Sequence, residues 1–267
     1  MDYAYWRKQT ASKPLFPDVV WSKPERRDQA GRLAIIGGNK LGFASVAISY
    51  QSALASGAGE VRVLLPDALK NTIPLSITDC VFAPTNHSGS LASEAIDEMQ
   101  AIGAWSNGVL LIGDAGRSSE TAILYEKFIS EYSGPLTLTR DAIDLVKNGS
   151  RELVERPNTV FVASFAQLQK LFQNVYYPKV LTFSMQLLLV VEALHKFTVT
   201  YPCTMVVLHH DQLLIASGGE VVSQDFTSPL KIWRGETAAN IASYWLWNQA
   251  RPLEAAAAAI ISPPTTK

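Results

Sequence analysis

Four apolar residues, Leu33-Ala34-Ile35-Ile36, end on Gly37-Gly38, and a run of small residues over 43–56 leads to Gly57-Ala58-Gly59 and a second apolar run over 61–65. Strand, glycine turn, helix, glycine turn, strand is the order of a parallel crossover unit. Continuous apolar runs at 109–112, 136–138 and 159–162 predict further strands buried on both faces, because a half-exposed strand would alternate. Segments 90–102 and 119–132 lie between them and carry polar residues on one helical face. A buried helix is predicted over 181–197. Strands at 205–208 and 213–216 follow, joined by a polar turn as a hairpin, and a last long helix, rich in Ala and Trp, is predicted over 236–249. Alternation with a late hairpin predicts an α/β sandwich with a mostly parallel sheet.

Composition gives no linker-like shift and no internal repeat, so a single domain is expected over 31–260. An extended arm at 1–30, with Pro14, Pro17 and Pro24, precedes it and should pack across its own domain or a neighbouring subunit. A flexible tail is expected at 261–267. With 267 residues, 48% hydrophobic and 18% charged, the chain can bury a sizeable core. A net charge of -1 argues against an electrostatic nucleic-acid footprint. Cys80 and Cys203 are too few for a disulfide framework or a Cys-rich zinc site, which favours a reduced, cytoplasmic compartment. The longest apolar run, 180–194, is broken by Ser184, Gln186 and Glu192 and falls short of the roughly 20 residues that span a bilayer. No membrane partner is expected, and residues 1–10 lack the apolar stretch of a signal peptide.

Glycine at the carboxyl end of a parallel strand is where such sheets hold ligands. Gly37-Gly38-Asn39-Lys40 and Gly113-Asp114 are therefore candidate contacts, although a tight turn would ask for the same residues. His209-His210-Asp211 does not predict a metal site, since adjacent residues on a strand point to opposite faces. Glu192 and His195 have the spacing of a carboxylate-bridged metal helix but lack the second copy such a site requires. No metal site is expected from the protein's own side chains.

Gly31-Arg32-Leu33-Ala34-Ile35-Ile36-Gly37-Gly38, with Ser56-Gly57-Ala58-Gly59 and Val61-Arg62-Val63 behind it, resembles the NAD(P)H-hydrate dehydratases. These belong to the ribokinase-like superfamily and are relatives of the carbohydrate kinases. Leu111-Ile112-Gly113 resembles the family's Ile-Gly-Pro-Gly strand end, and Asp141-Ala142-Ile143-Asp144 its Asp-Ala-Leu-Asn; the likeness runs over about 31–249. The resemblance implies a ribokinase-like three-layer α/β/α sandwich with a mostly parallel central sheet, and a homo-oligomer. It also implies repair of damaged nicotinamide cofactors. ADP or ATP, with Mg, phosphorylates the ring hydroxyl of the NAD(P)H hydrate, and elimination of phosphate restores NAD(P)H.

By the same resemblance Gly37, Gly38, Asn39, Ser45, Gly113 and Ser164 are substrate-side positions. His209, Arg234, Gly235 and Thr237 are nucleotide-side positions. The family's Gly-Gly-Thr-Gly-Asp, whose last residue is the base, reads Arg234-Gly235-Glu236-Thr237-Ala238 here, in a register that also places Pro229 on a family proline. The base position is then Ala238, and Glu236 is the carboxylate available as a substitute. A carboxylate in the first turn of a helix is also an ordinary stabilising feature. The family's Leu-Lys-Gly reads Leu208-His209-His210, and its His-Pro-Gly-Glu reads Ser164-Phe165-Ala166-Gln167. Three functions are compatible with this pattern. They are a divergent dehydratase with catalysis impaired or lost, a non-catalytic nucleotide- or protein-binding relative, and a small-molecule kinase.

Overall fold

A computed structural model describes residues 3–261. In chain order they form β1 (Trp6–Lys8), α1 (Pro17–Trp21), β2 (Arg32–Gly37), α2 (Ala44–Ser56), β3 (Glu60–Pro66), β4 (Cys80–Ala83), α3 (Ile96–Trp105) and β5 (Gly108–Gly113). Then come α4 (Ser119–Glu131), β6 (Leu136–Thr139), α5 (Asp141–Leu145), α6 (Ser150–Glu155), β7 (Thr159–Ala163), α7 (Phe165–Asn174) and α8 (Leu187–Thr200). The described chain closes with β8 (Thr204–His209), β9 (Gln212–Ser217), β10 (Glu220–Asp225), α9 (Pro229–Trp233), α10 (Glu236–Leu246) and α11 (Pro252–Ile261).

The strands form one ten-stranded sheet in the order β1-β10-β9-β8-β7-β6-β5-β2-β3-β4. Its pairs are parallel except on the two sides of β9, so β9 alone among the described strands runs against the rest. Alternation along each strand supplies two cores. Leu33 and Ile35 of β2 face α1, α2, α9, α10 and α11, whereas Ala34 and Ile36 face the layer built from α3 to α8. The sandwich is therefore three layers deep. Continuous apolar runs became strands because both of their faces are covered.

Several predicted boundaries move. The helix expected from 181 starts at Leu187, because Gln186 is extended and Met185 turns back on Thr182. An apolar run interrupted at Ser184, Gln186 and Glu192 has little period with which to locate that start. The segment expected to be helical from 90 begins as a loop organised by Asn86, whose amide Nδ2 donates to Leu91 O at 3.1 Å, Ser118 Oγ at 3.1 Å and Thr121 Oγ1 at 3.0 Å. The last predicted helix stops at Leu246, and α11, which was not predicted, follows it and ends at Ile261, the first residue of the expected tail. Residues 262–267 of that tail lie outside the described residues.

The N-terminal arm packs on its own domain. β1 adds to the edge of the sheet beside β10, and the Trp6 indole donates to Ser223 Oγ at 2.8 Å. Tyr5 stacks on His195 with ring centroids 3.8 Å apart. No described helix is long and apolar enough to cross a membrane.

Candidate functional site

Chain order from β2 runs outward to β3 and β4, then returns to the other side of β2 as β5. In a parallel sheet that reversal opens a crevice at the carboxyl ends of the two diverging strands. Gly37 and Gly113 end those strands as register partners, and Gly38 N donates to Gly113 O at 2.9 Å. Gly113 has φ +97, and a side chain there would collide with the Asp141 carboxylate. The turn thus needs glycine for both conformation and space.

A network of charges ties the strand ends together. Asp114 has φ 55, and its carboxylate accepts Ser45 N at 2.8 Å and an Arg140 guanidinium N–H at 2.7 Å. The neighbouring Asp141 carboxylate accepts Asp114 N at 2.9 Å and Ala115 N at 3.1 Å. Arg140 has φ 57 and ψ -143, a backbone state that costs free energy outside glycine and is held by its surroundings. Gln167 donates to Arg140 O at 2.7 Å while its Oε1 accepts Ser164 N at 3.0 Å, which places Ser164 as the cap of α7. Beside this network Tyr125 is fully buried, and its hydroxyl has no hydrogen-bond partner among the described residues. Burial, with Asp141 close by, pushes that phenol up from its ordinary pKa.

Asn39, also at the crevice, is occupied by the fold. Its amide donates to Ser88 O at 3.0 Å and Ser90 Oγ at 2.7 Å and accepts Leu41 N at 3.0 Å.

The N-terminus of α10 abuts the same end of β5. Gly235 precedes the helix with φ +88, and a Cβ there would collide with Ile112 Cδ1 and crowd Ser49 Oγ. Helix geometry then decides which residues face outward. Glu236, the first helical residue, is partly exposed and makes no side-chain hydrogen bond or ion pair among the described residues. Ala238, two positions on, is 0% exposed inside the core beneath the helix. A carboxylate at 238 would be buried among apolar groups rather than presented to the crevice. Of the two positions, only 236 holds a side chain that is partly exposed. Arg234 beside it is exposed.

Thr237 opens onto a cavity of about 470 Å³ where the arm, α9, α10 and α11 meet. Gln9 and Thr10 from the arm, Gln224 and Asp225 from β10, Lys231 from α9 and Asn240 from α10 share its walls with apolar residues of α11. That volume lies within the usual range for small-molecule sites. Only Thr237 among the predicted residues lines it. The arm residues gave no local signal, since nothing in 9–11 says that the chain returns to α10 and α11.

His209 is elsewhere. It ends β8 on the α7 and α8 side, its ring 4.9 Å from that of Phe165, whereas α10 covers the opposite face. Its Nε2 donates to Met185 O at 2.9 Å. Burial pushes its pKa down and nearby His210 adds to this, while the Met185 carbonyl opposes them. The four predicted nucleotide-side residues thus divide between two faces of the sheet. No group of three or more His, Cys, Asp or Glu among the described residues is placed to hold a metal ion.

Solved structures match this architecture across nearly its whole length. A ribokinase-like superfamily protein from Enterococcus faecalis superposes with a TM-score of 0.70 at 15% identity, covering 98% of this chain and 88% of its own. The chain has the ribokinase-like fold. A protein from Streptococcus mutans described as hypothetical gives a TM-score of 0.71 at 16% identity, covering 91% of this chain and 85% of its own. The Bacillus subtilis ADP/ATP-dependent NAD(P)H-hydrate dehydratase, co-crystallised with ATP and Mg2+, gives 0.58 at 10% identity, covering 88% and 79%. In sequence the chain is 27% identical over 164 residues to the bifunctional NAD(P)H-hydrate repair enzyme Nnr of Methanothermobacter thermautotrophicus. That match takes in 59% of this chain but only 31% of the relative's length. No protein-family model matches the chain. The resemblance carried by the motifs thus recurs in a curated sequence and in the fold.

Proposed function

We propose that this chain is a divergent NAD(P)H-hydrate dehydratase-like protein that binds a nucleotide beside α10 and turns over slowly, with Glu236 as its base. The observation that carries this reading is the unpaired carboxylate of Glu236 on the first turn of α10, next to the glycine ends of β2 and β5. Sequence likeness to a hydrate repair enzyme and the ribokinase-like fold support the reaction class. In that reaction a base takes the proton of the ring hydroxyl as its oxygen attacks the terminal phosphorus of ATP, whose bond to the bridging oxygen breaks so that ADP leaves. Phosphate then leaves with that oxygen, and loss of a ring proton restores the double bond of NAD(P)H.

Slow turnover follows from electrostatics. Donors aimed at developing phosphate charge are a large part of phosphoryl transfer. Here the helix start that would supply them carries a carboxylate of its own. Arg234 and Lys231 offset that charge only from flexible, exposed side chains. Mg enters this reading only with the nucleotide phosphates.

A non-catalytic nucleotide- or protein-binding role is the second reading. It is favoured by the burial of Ala238 and by Asp114, whose carboxylate already takes the Ser45 amide in the first turn of α2. A small-molecule kinase would need the same base and gains no separate support.

The test mixes the purified chain with NAD(P)H hydrate and ATP or ADP and follows reduced-nicotinamide absorbance. Nucleotide-dependent recovery above a boiled control is expected, slowed about a hundredfold by Glu236→Gln. No recovery, with nucleotide binding recorded by calorimetry, leaves the second reading standing. Recovery indifferent to Glu236→Gln removes the base from Glu236.

A further inference from the structure

One wall of the cavity at α9, α10 and α11 does not belong to the body of the domain. Gln9 and Thr10 come from the N-terminal arm, where they link the three-residue edge strand β1 to α1, which packs on α11. Gln9 N donates to Ser223 O at 2.9 Å, and the Gln9 amide Nε2 donates to Gln224 Oε1 at 2.6 Å and Ala257 O at 3.1 Å. The other atom of that amide is left over. Gln9 is 3% exposed, and its Oε1 has no hydrogen-bond partner among the described residues. A buried acceptor without a donor costs free energy that a ligand donor would relieve.

We propose that Gln9 and Thr10 are ligand-binding residues of this cavity, so that a nucleotide binds only when the arm is docked and holds it there once bound. This rests on the nucleotide-binding reading above. The cavity chemistry suits a planar heterocycle with an anionic tail. The carboxamides of Gln9 and Gln224 are hydrogen-bonded to each other, which leaves Gln9 Oε1 as the acceptor available to a ligand donor. Thr227, Ser228 and Lys231 offer hydroxyls and a cation along the same wall. Arm docking and ligand binding then share one free energy, and each must strengthen the other by the same factor. A short edge strand is also the kind of element whose local opening is easy enough to be controlled in this way.

The experiment uses the full chain with ATP as probe. Calorimetry compares the wild type with Gln9→Leu and Thr10→Val, and hydrogen exchange follows the backbone amides of residues 6–10 with and without saturating ATP. Gln9→Leu is expected to weaken ATP binding about tenfold, and ATP to slow wild-type arm exchange at least about tenfold. A wild type that binds ATP with unchanged arm exchange, together with a Gln9→Leu chain of wild-type affinity, overturns the proposal and leaves the nucleotide reading intact. A wild type that binds neither ATP, ADP nor the hydrate overturns both. Should Gln9→Leu fail to fold, the wild-type exchange result decides.

Discussion

Asp141 joins stability to function through a single side chain. Its two oxygens hold Asp114 N and Ala115 N, and those amides fix the turn that presents Gly113 to the crevice. The Asp114 carboxylate in turn holds Ser45 N and the guanidinium of Arg140, so β5, β6 and α2 meet at one carboxylate pair. A Cβ at Gly113 would strike Asp141 Oδ1 and force an L side chain into φ +97. Gly113→Ala should therefore cost about 3 kcal/mol, roughly one for the left-handed backbone and one for each Asp141 hydrogen bond displaced. Urea denaturation of the purified variant measures it, and a loss below about 1 kcal/mol would mean that the turn relaxes without cost. The sequence showed the glycine and the Asp-Ala pair, but not that they touch. Twenty-eight positions separate Gly113 from Asp141, and only the pairing of β5 with β6 brings them together.

Elements were legible where periodicity and length agreed. β2, α2, β5, β7 and α4 were expected nearly where they lie, because buried strands and amphipathic helices each leave a distinct pattern. β1, β4 and β10 were not expected: β1 and β4 are three and four residues long, and partly exposed edge strands leave little pattern. The alanine run of α11 was also missed, since alanine favours helix without marking a face. Structure gives that run a purpose. Ala255, Ala256 and Ala257 are 0% exposed, and α11 lies close against α10 over the second core. Ala256→Leu adds three carbons where no space remains and should destabilise by about 1–3 kcal/mol, read as a lower urea midpoint with an unchanged slope. An unaltered midpoint would show that α11 can move away from α10. At the site, Gly37 and Gly113 were legible as strand-end glycines. The partial exposure of Glu236 and the burial of Ala238 were not, because they depend on where α10 starts. That start is set by Gly235 fitting against Ile112 and Ser49, a contact between distant parts of the chain.

At the scale of the molecule, both cores hang on the same strands. Ile36 and Leu111 support one, Ile35 and Leu110 the other, each pair facing across β2 and β5, so that consecutive residues of one strand serve opposite cores. Neither core can lose its helices without exposing the back of strands that wall the other, and burial of apolar area is the main favourable contribution to both. Chains of this length often unfold through intermediates. A shared sheet opposes that tendency more strongly than two adjacent cores would. Tryptophan probes fall on both sides: Trp105 against the first core, Trp245 within the second, and Trp6 on the arm. Far-UV circular dichroism and tryptophan fluorescence are therefore expected to give coincident urea transitions for residues 31–261. The edge strand β1 of the arm is the element free to depart from this, because its loss uncovers chiefly the edge of β10, whereas Phe16 and Val19 further along the arm belong to the second core. A chain carrying Trp6→Phe should keep the coincident transition, while a separate early phase lost with Trp6 would report arm release. Two separated transitions in that variant would mean that the cores melt independently and that the region is not one cooperative domain.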